Sequence, residues 1–147
     1  MSLEIIEKIE GIYSKTVSLV SEGDFRLCEY ISDKNKIFIE KVMEKNSFKG
    51  KKGEKLEVSF LEGEALVTIL FLGIGKKENM NRDVMREVIY NGLKDVTGDI
   101  LIGSEDKELI DIEVIGEVAE HIDYKFDKYM SEKKDKKLNI YYFMEKN

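Results

Sequence analysis

Three observations make this sequence predict an α/β domain, a mixed sheet flanked by helices. The run from Ala65 to Leu72 is apolar apart from Thr68 and ends in Gly73-Ile74-Gly75. Such a run needs cover on both faces and reads as a central strand. After the glycines, the polar stretch Lys76 to Asn81 leads into Arg82 to Val96, where apolar residues recur at helical spacing. Strand, tight turn and helix are half of a crossover unit. Just upstream, Leu56, Val58 and Phe60 alternate with Lys55, Glu57 and Ser59, the pattern of a strand with one wet face.

In chain order, Leu3 to Ile9 and Lys15 to Val20 are short, rich in Ile or Val, and separated by Gly11, so both read as strands. Ser21 to Asp24 is a turn, and Asp24 to Ile31 reads as a loop or a short edge strand carrying the lone Cys28. From Ser32-Asp33 the pattern becomes helical to about Asn46, with Ile37, Phe38, Val42 and Met43 as its apolar stripe and Ser32 or Asp33 as its cap. Asn46 to Glu54 is an exposed turn rich in glycine and lysine, and Glu62-Gly63 turns the wet-faced strand back into the central one as an antiparallel neighbour. In the helix after the glycine turn, Val84, Met85, Val88, Ile89, Leu93 and Val96 form one stripe, with Gly98 as the stop. Asp99 to Gly103 is a short buried strand, and Ser104 to Glu108 a charged loop. A further helix carries Ile115, Val118, Ala119, Ile122, Phe126 and Tyr129, followed by a lysine-rich connector, Ser131 to Lys137, and a last strand, Leu138 to Met144.

With 147 residues and no proline-marked linker or repeat, the chain is expected to be one domain over residues 1–147. A domain of that size buries roughly 70% of the surface its unfolded chain exposes, without a disulfide or metal staple. A composition of 42% hydrophobic and 37% charged residues is globular, and the formal charge of −6 supplies no general attraction to nucleic acid or membrane. No stretch of about 18 apolar residues occurs, the first residues carry charges where a signal peptide needs an apolar core, and a single cysteine fits a reducing compartment. The expected location is the cytoplasm.

Each candidate site has a structural reading beside its functional one. Gly73, Gly75 and Lys76 could cradle a phosphate at a helix start, yet two glycines match neither the dinucleotide fingerprint nor the P-loop, and a structural turn is preferred. His121, the only histidine, has no second histidine or cysteine placed to join it and reads as a helix surface residue. Glu105, Asp106, Glu108, Asp111 and Glu113 read as solvating charges near a helix start and not as a metal site. Lys125, Lys128, Lys133, Lys134, Lys136 and Lys137 are diluted by Asp127, Glu132 and Asp135, so nucleic acid is not the expected partner. Tyr124, Phe126 and Tyr129 read as core, or as an interface for a partner domain.

Three stretches, Phe48-Lys-Gly-Lys-Lys-Gly-Glu-Lys-Leu56, Phe71-Leu-Gly-Ile-Gly-Lys-Lys-Glu78 and Tyr124-Lys-Phe-Asp-Lys-Tyr129, stand in an order and spacing that resemble the N-terminal domain of the cytosolic leucyl aminopeptidase family. The likeness runs from Phe38 onwards. Departures lie in the last motif, where Lys125 and Met130 replace the family's Arg and Lys, and before it, where Val118, His121, Ile122 and Asp123 replace small residues. The resemblance implies a three-layer, macro-domain-like α/β fold, joined in the family to a larger metallopeptidase domain that holds two divalent metal ions, zinc or manganese. The family's catalytic stretch Asn-Thr-Asp-Ala-Glu-Gly-Arg does not occur in this chain. The resemblance therefore implies a non-catalytic accessory or assembly domain with no cofactor of its own, partnered by a metallopeptidase domain and compatible with a homo-oligomer. The alternative is a stand-alone macro-like module that binds a nucleotide or ADP-ribose-type ligand near Gly73 to Lys76.

Overall fold

A computed structural model describes residues 3–6, 15–25, 27, 31–96, 98–103, 111–129 and 138–143. Its strands are β1 (Leu3–Ile6), β2 (Lys15–Val20), β3 (Lys55–Glu62), β4 (Ala65–Gly73), β5 (Gly98–Gly103) and β6 (Leu138–Phe143). Its α-helices are α1 (Asp33–Lys45), α2 (Arg82–Leu93) and α3 (Ile112–Tyr129). The strands form one sheet in the order β1, β6, β5, β2, β4, β3, parallel throughout except for the β3–β4 pair.

The alternation of side chains along a strand divides the interior into two cores. On one face Ile39 and Met43 of α1 meet Val20, Val58, Phe60, Ile69 and Phe71. On the other, α2 and α3 bring Met85, Val88, Ile89, Leu93, Ile115 and Ile122 against Val17, Leu19, Leu70, Leu72, Ile100 and Ile102. Helices on both faces of a mixed sheet make the three-layer α/β arrangement expected. Strand β4 feeds both layers, with Ile69 and Phe71 to one and Leu70 and Leu72 to the other, which explains its apolar run. It is nevertheless one place in from the edge, and β5 and β2 occupy the middle of the order.

Helix α1 starts where its cap residue predicts, with the Ser32 hydroxyl accepting from the Asn35 amide. Its buried stripe differs from the expected one. Ile39 is fully buried and Met43 nearly so, whereas Ile37 and Phe38 are 54% and 44% exposed. The helix is turned so that Ile39, Val42 and Met43, spaced by three and four residues, face the sheet. Helix α2 is capped by Asn81, whose Oδ1 accepts from the Val84 amide at 2.9 Å, and its buried residues follow the expected stripe. It ends at Leu93 with Lys94 as its cap, and Gly98 is the first residue of β5 rather than the helix stop. The expected extension of the first strand to Ile9, the Ser104 to Glu108 loop, the 131–137 connector and Cys28 lie outside the described residues.

Candidate functional site

The order of the strands singles out one place. From β2 the chain passes to α1 on one face, and from β4 to α2 on the other, while β2 and β4 are parallel neighbours. Chains that leave adjacent carboxyl ends towards opposite faces open a crevice, and open α/β sheets take ligands there. The candidate glycines lie at this crevice, since Val20 ends β2 in register with Gly73.

In this protein the crevice is filled by its own chain. The Phe48 to Glu54 segment lies across the glycine turn and binds it through backbone groups on both sides. The Gly75 amide donates to the Gly50 carbonyl at 2.9 Å, the Gly53 amide to the Gly73 carbonyl at 3.1 Å, and the Gly73 amide to the Glu54 carbonyl at 2.9 Å. The Ile74 amide donates to the Val20 carbonyl at 3.0 Å, and the Glu22 amide to the Gly75 carbonyl at 2.9 Å. Every amide of the Gly73-Ile74-Gly75 turn is thus donated to a protein carbonyl. The approach is close enough to demand glycine, because a Cβ at Gly73 would stand 2.4 Å from the Lys51 oxygen and 2.6 Å from the Gly50 carbon. Gly75 has φ of +85°, a left-handed conformation that side chains disfavour.

The segment is itself held in shape. The Glu54 carboxylate accepts from the Lys51 amide at 2.8 Å and the Lys49 amide at 3.2 Å, Phe48 packs against Phe25 and Phe71, and Lys52 pairs with Glu87 of α2 at 2.9 Å. Two of the three motifs that carry the family resemblance therefore touch one another. Periodicity does not reveal this contact, although Glu54 stands within the quoted motif. Lys76 is exposed beside the turn, and α2 begins only at Arg82, so the helix N-terminus does not open onto the glycines.

His121 is exposed on α3, its ring tilted against Tyr90 with centroids 5.2 Å apart. The two line an open cleft of about 470 Å³ between α2 and α3, together with Asp83, Arg86, Glu87, Glu117 and Val118. The two arginines of α2 are paired with acids. Arg86 reaches Glu117 at 2.6 Å and Asp83 at 2.8 Å, and Arg82 reaches Glu113 at 2.9 Å and Asp111 at 3.0 Å. The hydrogen bond that Arg86 donates to Glu117 raises its guanidinium above the ordinary value, and the one that Arg82 donates to Glu113 does the same there. Two carboxylates of the sequence's acidic cluster, Asp111 and Glu113, thus bind an arginine, while Glu105, Asp106 and Glu108 lie outside the described residues.

Among the described residues no three His, Cys, Asp or Glu side chains converge as a metal ion requires. No described helix is long and apolar enough to cross a membrane. Tyr124, Phe126 and Tyr129 fall in the last turns of α3, and their side chains lie outside the described part, as do those of the lysine cluster.

Residues 11–133 match the family described as "Cytosol aminopeptidase family, N-terminal domain". A probable cytosol aminopeptidase of Fusobacterium nucleatum is 32% identical over 99% of this chain, and one of Aquifex aeolicus is 34% identical over 92%. The chain spans only 30% and 28% of those relatives' lengths. A solved structure of a tomato leucine aminopeptidase mutant shares the fold with a TM-score of 0.67 at 12% identity, over 98% of this chain and 32% of that one. With residues 11–133 matched, this chain is a member of the cytosol aminopeptidase family and corresponds to its N-terminal domain.

Proposed function

We infer that this domain is a non-catalytic accessory and assembly element of a metal-dependent aminopeptidase, an enzyme that removes N-terminal residues from peptides. The metallopeptidase portion, with its zinc or manganese ions, is supplied outside these 147 residues. One observation carries the reading. The crevice at the carboxyl ends of β2 and β4, the usual ligand site of such a sheet, is occupied by the chain's own Phe48 to Glu54 segment, and its amides are consumed in doing so. A domain that closes its ligand crevice with its own backbone acts as a rigid body, suited to positioning what is joined to it. The two relatives, both probable cytosol aminopeptidases, are about three times as long, which supports the presence of a catalytic portion beyond this domain.

The test is enzymatic. The purified chain, supplied with manganese or zinc, is expected to show no hydrolysis of leucyl amide substrates. Turnover that follows the protein peak through successive columns refutes the reading.

A further inference from the structure

We draw no further inference here: the strongest candidate, the surface patch made by the cross-strand pair Leu61 and Leu66 of the β3–β4 hairpin, 62% and 72% exposed, carries nothing because nothing in the structure shows what covers it.

Discussion

Replacing Gly73 by Ala measures how much of the fold depends on the filled crevice. The added Cβ would meet the Lys51 oxygen at 2.4 Å and the Gly50 carbon at 2.6 Å. Both are backbone atoms, so no side-chain rotation relieves the contact and the Phe48 to Glu54 segment must withdraw. Overpacking of this kind costs about 1–3 kcal/mol. The Gly75-to-Gly50 and Gly53-to-Gly73 hydrogen bonds stretch with it, at a net loss of about 1 kcal/mol each. The expected destabilisation is about 3–5 kcal/mol, or roughly 6–20 °C in melting temperature for a domain of this size. Two further glycines calibrate the result. Gly53, at φ +87° with nothing near its Cβ position, should cost only about 1–2 kcal/mol on substitution by Ala. Gly103, without a positive φ and with open space, should change stability by less than about 0.5 kcal/mol. Urea denaturation followed by circular dichroism ranks the three. A Gly73→Ala variant as stable as Gly103→Ala refutes the claim that the loop is seated on the turn.

Ile39→Ala should cost about 2–5 kcal/mol and Ile37→Ala less than about 0.5, because only the first is buried; equal costs in chemical denaturation contradict the observed helix rotation. ADP-ribose should leave the melting temperature unchanged, whereas a ligand at a hundredfold its dissociation constant would add about 2.7 kcal/mol, visible as a rise of several degrees. The hydrogen bond from Asn35, and after it those from Ser32, hold the Glu62 carboxyl below its ordinary value of 4.5. A depressed folded value means that this contribution is complete above the unfolded value and is lost as pH falls through the folded one. The stability difference between wild type and Glu62→Gln should therefore shrink as pH is lowered below 4.5; a difference constant across that range in denaturation titrations contradicts the assignment.

Local chemistry made much of this architecture readable. Ser32 announces the start of α1, the Leu56, Val58, Phe60 alternation and the Glu62-Gly63 pair announce the hairpin, and the stripe from Met85 to Leu93 announces α2. Each of those signals acts over a few residues. The seating of Gly50 and Lys51 on Gly73 is a contact between segments more than twenty residues apart, and no periodicity encodes which loop fills which crevice. The rotation of α1 is hidden in the sequence for a related reason. Ile37-Phe38-Ile39 offers three adjacent apolar residues, and only the position of the sheet selects Ile39. Leu61 and Leu66 left a trace, since Leu61 falls at a wet-face position of an alternating strand, but an isolated exposed leucine is ordinary. Their pairing across the hairpin becomes visible only in the strand register.

Strand β4 stands between two cores, and this has a bearing on how the domain opens. Because Phe71 is held by one layer and Leu72 by the other, neither layer can come apart without disturbing a strand that the other still grips. Partial unfolding of one half, leaving the other intact, is thereby suppressed. Backbone amides in the middle of β4 should exchange with solvent only through opening of the whole unit, and their protection should report the global free energy of unfolding. At the hairpin end of the same strand, where residues 65–68 pair with β3 beside the turn, protection should fall away. One strand would then record both the most and the least cooperative parts of the sheet.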